Sequence, residues 1–152
     1  LKRFFVNSYE QLPVQVRKLL ISSCCVKLAS PQLPDYCLLL YPDLRALEGV
    51  LKLLLDSYGM SVAEAEHGFG DFFNVTPKVD SAQLSQISVP DCNAVMESAF
   101  NVGYSFYRKH RHTLFHMEEF DGGSRLISNL QMAISLSNDA YNAIYNLYTA
   151  RM

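Results

Sequence analysis

The chain has 152 residues, the length of one ordinary domain, and is 49% hydrophobic and 18% charged, a balance that excludes an intrinsically disordered segment. Lys and Arg number 13 against 15 for Asp and Glu, a formal net charge of −2, so any nucleic-acid-binding surface has to be local. The longest uninterrupted apolar stretch, Tyr36–Tyr41, is far short of the ~20 residues that cross a bilayer, and the short apolar run behind Lys2 and Arg3 is no secretory core.

In chain order, Ser8-x-x-Gln11 has the form of a capping box. Behind it Val16, Leu19, Leu20, Cys24 and Leu28 recur at helical spacing, which predicts a first helix at about 9–29 that ends at Pro31 and Pro34. Asp35 stands where a cap belongs. Pro42 either kinks the next helix or occupies its first turn. Leu44, Leu47, Leu51, Leu54, Leu55 and Tyr58 give that helix its apolar face, and Gly59 is its expected stop.

Residues 60–90 read as a long excursion, with the aromatic cluster Phe69, Phe72, Phe73 and one short helix after Ser81. A further helix is expected from Pro90–Asp91, its face built from Val95, Ala99, Phe100, Val102, Phe106 and Tyr107. Gly122-Gly123 breaks the chain, and Ser124 is placed to cap a last helix through Tyr148. No strand-like alternation wins over a long window. The expectation is one all-α domain over 1–152, a bundle of four to five helices with the excursion at about 60–90.

The start at Leu1 suggests a piece of a longer protein. Four cysteines, Cys24, Cys25, Cys37 and Cys92, show no metal-like spacing and are expected to be reduced, buried and inert in a cytoplasm.

The anomaly is Arg108-Lys109-His110-Arg111-His112-Thr113-Leu114-Phe115-His116, which holds three of the four histidines. Arg and His without a carboxylate cluster suit metal-free cleavage of RNA. A histidine titrating near neutrality moves the proton of a 2′-hydroxyl or of a leaving oxygen. An arginine grips the phosphate and stabilises charge in the transition state. On an unbroken helix Arg111 and His116 lie about 140° apart, so a bend or a second copy has to complete the site. His112 and His116 share a face, as in helical metal sites, but no third ligand has diagnostic spacing. Glu48, at the edge of its apolar face, is placed to pair with Arg45 or Lys52.

Arg111-His112-Thr113-Leu114-Phe115-His116 resembles the R-x4-6-H signature of HEPN ribonucleases. Together with Leu33-Pro34-Asp35-Tyr36-Cys37 and Leu44-Arg45-Ala46-Leu47-Glu48-Gly49-Val50-Leu51, it resembles the C-terminal domain of the RNase LS (RnlA/LsoA) toxins of bacterial type II toxin–antitoxin systems, over about residues 20–120. The resemblance implies a helical HEPN-type domain that cleaves RNA as a homodimer, needs no cofactor or metal, and docks a cognate or phage-encoded antitoxin. It implies Arg111, His116, Glu48 and Asp35 as catalytic positions. The charge pattern adds Arg108, Lys109 and His112 as an RNA- and antitoxin-binding patch, with the Phe69–Phe73 excursion as apolar anchors beside it. The competing expectation is a non-catalytic helical module whose basic segment binds an acidic partner; a third is a hydrolase with metal on His112 and His116.

Overall fold

A computed structural model describes residues 1–5, 8–29, 32–64, 72–73, 92–115 and 126–151. Its elements are helices: α1 (Lys2–Phe5), α2 (Val14–Ala29), α3 (Tyr41–Ser57), α4 (Ala94–Phe115) and α5 (Leu130–Ala150), with short 3-10 turns at Tyr9–Gln11, Cys37–Leu40 and Val62–Glu64. The all-α expectation holds among the described residues. None of these helices is long and apolar enough to cross a membrane.

The core helix is α3, which packs against α2, α4 and α5. Leu44, Leu47, Leu51, Leu54 and Leu55 are all buried along it, each contributing roughly 1.5–3 kcal/mol by leaving water. Pro42 takes the first turn of α3 and produces no kink, because its missing N–H would have had no helical partner there. At the other end Gly59 has φ of +79°. Its N–H donates to Asp56 and that of Met60 to Leu55, so α3 closes in a complete Schellman motif.

Several boundaries differ from the sequence expectation. The Ser8 hydroxyl donates back to the Phe5 carbonyl at 2.8 Å, so no capping box forms, and the expected first helix divides into the 3-10 turn and α2. Asn93 caps α4 by accepting the Met96 N–H at 2.8 Å, and Asn129 caps α5 by accepting that of Met132. The last helix thus starts later than Ser124 implied. Leu126 is exposed, and Ile127, fully buried, ties the extended lead-in to the loop at Asp35. Ser124 itself, and the short helix expected after Ser81, lie outside the described residues.

Two faces are rotated from expectation. In α2 the inward stripe is Val16, Leu20, Ser23 and Lys27, whereas Leu28 is 89% exposed. In α4 it is Met96, Phe100, Gly103, Tyr107, His110 and Leu114, an alternation of four- and three-residue steps that keeps one face inward. Val95 and Val102, expected in the core, are 67% and 47% exposed and line a groove against Asn146 and Thr149 of α5. A Cβ on Gly103 would stand 3.4–3.8 Å from Leu147, Leu51 and Leu47. The glycine brings α4 close to α3 one turn before Tyr107.

Candidate active site

The close approach at Gly103 sets the contacts of the next two turns of α4. One turn on, Tyr107 is buried, and its hydroxyl lies near enough to α3 to feel the carboxylate of Glu48, the residue after Leu47. One turn further, Arg111 sets its guanidinium carbon 6.0 Å from the centre of the Tyr107 ring, within cation–π reach. Glu48 also takes Lys52 Nζ at 2.6 Å. Lys52, Glu48, Tyr107 and Arg111 thus lie in succession from α3 to α4. The expected Glu48–Lys52 pair is present, and Glu48 and Arg111 both neighbour Tyr107.

Burial pushes the Tyr107 phenol above its ordinary range, and the Glu48 charge adds to that, against the opposing pull of Arg111. The phenol is therefore a neutral donor at physiological pH and no base.

The basic segment does not present a uniform surface. Arg108, Lys109 and Arg111 are exposed, but His110 is buried, its ring 4.4 Å from that of Phe106. His110 falls on the inward stripe of α4 and does not add to the exposed basic patch. His112 belongs to α4, whose described part ends at Phe115; the His112 side chain and the whole of His116 lie outside the described residues. No group of three His, Cys, Asp or Glu side chains among the described residues is arranged for a metal ion.

The aromatic excursion is also different from a set of exposed anchors. Phe73 is buried and stacks on Tyr104 of α4, ring centres 3.8 Å apart and planes 6° from parallel. Phe72 packs partly buried against the core. Phe69 lies outside the described residues.

Asp35 stands at the entry to α3, where its Oδ1 accepts the Cys37 N–H at 3.0 Å and the Ile127 N–H at 2.9 Å. The Tyr36 N–H returns a bond to the Ile127 carbonyl. Desolvation, the largest single influence, raises the carboxyl, but hydrogen bonds from the Cys37 side chain and from these backbone groups outweigh it and hold Asp35 below its ordinary range. The Cys37 thiol, pushed by burial and then by its hydrogen bond to Asp35, rises to about 11. The described geometry places Asp35 on these backbone donors.

The cysteines are not the buried set expected: Cys25 is exposed and the other three are half-buried. A more consequential omission is Asp43, which is fully buried. Its Oδ2 takes Lys27 Nζ at 2.7 Å and the Ser137 hydroxyl, while Lys27 also bonds Ser23 and the Tyr141 hydroxyl. This network joins α2, α3 and α5. Its signal in the sequence is Ser23, Lys27 and Ser137, polar residues set into the inward faces of α2 and α5.

Comparison with known proteins bears on the fold and the family. Residues 1–118 match the family described as RNase LS, bacterial toxin DBD domain. The chain is 38% identical over 152 residues to the mRNA endoribonuclease toxin LS of Escherichia coli strain K12, an alignment that covers 97% of this chain and 41% of that toxin. Its fold is similar to that of Escherichia coli toxin LsoA, solved in complex with the T4 phage antitoxin Dmd, with a TM-score of 0.77, 18% identity, and coverage of 99% of this chain and 58% of that one. At that identity the likeness establishes the fold.

Proposed function

The chain belongs to the family of RNase LS bacterial toxins, in its DBD domain, and on that premise we propose that it is the catalytic and antitoxin-binding domain of an endoribonuclease toxin that cleaves mRNA in the cytoplasm without a metal. The observation that carries the reading is the meeting of Glu48 and Arg111, from α3 and α4, on Tyr107. It joins an acidic group to the guanidinium that opens the Arg111–His116 motif. Similarity to an mRNA endoribonuclease toxin supports the substrate class.

In this reading Arg111 holds the scissile phosphate and stabilises the charge that develops on it. His116 moves the proton between the 2′-hydroxyl and the leaving oxygen. Glu48, held by Lys52 and Tyr107, orients these groups. Asp35 acts more remotely, by fixing the loop through which the chain enters α3. Two copies of the chain bring their segments together, which resolves the ~140° between Arg111 and His116 on a straight helix. The partner is a protein antitoxin, cognate or phage-encoded. Support for that partner is the structure of LsoA with a phage antitoxin, and the exposed Arg108 and Lys109, with His112 beside them, supply charge for an acidic surface as for RNA.

The test is cleavage of RNA by the longest available form of the protein in the presence of a chelator. Arg111→Ala and His116→Ala should each slow cleavage by roughly 10²-fold or more with melting temperatures within a few degrees of wild type. Mixed dimers of the two variants should regain part of the activity. Cleavage unchanged in both variants would leave a binding module, and cleavage abolished by the chelator would point to metal.

A further inference from the structure

One residue at the site belongs neither to the motif nor to the positions the family resemblance supplies. Among the described residues Tyr107 lies between polar groups of α3 and α4: it is buried on the inward stripe of α4, its hydroxyl is close enough to Glu48 to feel that carboxylate's charge, and its ring lies under the Arg111 guanidinium at 6.0 Å. Its position is itself fixed from behind. Gly103, one turn earlier, lets α4 sit against Leu47 and Leu51, and Leu47 precedes Glu48.

We propose that Tyr107 is the positioning residue of the site, its hydroxyl aiming the Glu48 carboxylate and its ring carrying the Arg111 guanidinium, so that one immobile side chain sets an acidic and a basic group relative to each other. The proposal rests on the reading that Arg111 and Glu48 serve RNA cleavage. Each of those side chains, taken alone, is badly suited to hold a geometry. Arg111 is exposed and has a long, rotamer-rich stem, and Glu48 is half-buried at a helix surface with a flexible lysine as its other partner. A buried aromatic has two torsions, both set by packing. Because burial and the Glu48 charge keep the phenol protonated, it serves as a donor to the carboxylate and takes no part in moving the substrate's proton.

The two halves of the role separate by substitution. Tyr107→Phe keeps the platform under Arg111 and releases Glu48. Tyr107→Leu removes both. Misplacement of a catalytic group by about 1 Å costs on the order of 10²-fold. Tyr107→Phe should therefore lower kcat roughly 10- to 100-fold with KM within about 2-fold of wild type. Tyr107→Leu should in addition raise KM, as the arginine loses its seat on the phosphate.

The decisive comparison is kinetic coupling, measured by single-turnover cleavage of a defined RNA with the longest available form of the protein. Tyr107→Phe combined with Glu48→Gln should be no slower than Glu48→Gln alone by more than about 2-fold, because the hydroxyl acts only through that carboxylate. A merely structural tyrosine would multiply its loss with that of Glu48. Multiplicative losses, or wild-type kcat in Tyr107→Phe while Arg111→Ala is inactive, would overturn the proposal and leave the reading of the site intact. Wild-type cleavage by Arg111→Ala would overturn the reading of the site and the proposal with it.

Discussion

Replacing Asp43 with Ala tests the most unusual feature of the fold, a carboxylate with no exposed surface inside a bundle held together by leucines. Lys27, whose side chain is 11% exposed, would be left with Ser23 and the Tyr141 hydroxyl but no counter-charge. Ser137 would lose its acceptor. Stranding one member of a buried ion pair costs about 3–5 kcal/mol. The ammonium is not wholly enclosed and can swing toward water, so the lower end of that range applies. At about 2–4 °C per kcal/mol for a domain of this size, the melting temperature should fall roughly 6–12 °C by circular dichroism. The paired replacement Lys27→Met with Asp43→Leu leaves no stranded charge, and the Ser23–Tyr141 bond at 3.1 Å survives it. That double variant should lie within about 2 kcal/mol of wild type, on either side. Equal damage in the single and double variants would refute the coupling of Lys27 to Asp43. So would a loss below about 1 kcal/mol in Asp43→Ala, the range of an ordinary surface pair.

Gly103→Ala places a Cβ in ordinary contact with Leu147, Leu51 and Leu47 and gains up to about 1 kcal/mol of helix propensity. It should be neutral or stabilising in urea denaturation, whereas Gly103→Val should destabilise and slow RNA cleavage by lifting Tyr107 from Glu48. The Cys37 thiol, raised to about 11, stays protonated at pH 8, so in mass-spectrometric timing of alkylation the exposed Cys25 should react well before it. Burial, and then the Asp35 carboxylate, favour the neutral thiol, so its contribution to stability is full below its ordinary value of 9.0 and is lost as pH rises toward 11, a dependence that Cys37→Ala should flatten. Charge reversal at Arg108 and Lys109 should weaken RNA binding and antitoxin binding together, chiefly through slower association and with a smaller salt dependence; an unchanged antitoxin on-rate would place the docking surface elsewhere.

The parts of this fold legible in the sequence are those set by local rules. The stop at Gly59 comes from backbone chemistry alone and the apolar face of α3 from its leucine spacing, whereas backbone chemistry narrowed Pro42 only to a kink or a first turn. The rotated faces of α2 and α4 were not legible, because each depends on a partner far away in the chain. Ser23 and Lys27 point inward only because Asp43 is buried there, which frees the nearby Leu28 to face solvent. Along α4, Val95 and Val102 look more like core than Gly103 or His110, yet the close approach to Leu47 and Leu51 makes the glycine the inward position. At the candidate site Glu48 and Asp35 entered only through the family resemblance, and the tyrosine beside Glu48 and Arg111 was not named as a site residue at all, since its ring and hydroxyl read as one more core aromatic.

Metal-free RNA cleavage by the Arg111–His116 motif stands or falls on the chemistry of the cut ends. Single-turnover cleavage of an RNA of known sequence should be run with excess chelator and the ends assigned by mass spectrometry. Proton transfer from the 2′-hydroxyl predicts attack of that oxygen on the adjacent phosphorus, with expulsion of the 5′-oxygen of the next nucleotide. The products should carry a 2′,3′-cyclic phosphate and a 5′-hydroxyl, and a 2′-deoxy substitution at the cut should abolish cleavage. A 5′-phosphate end, or undiminished cutting next to a 2′-deoxynucleotide, would rule this chemistry out.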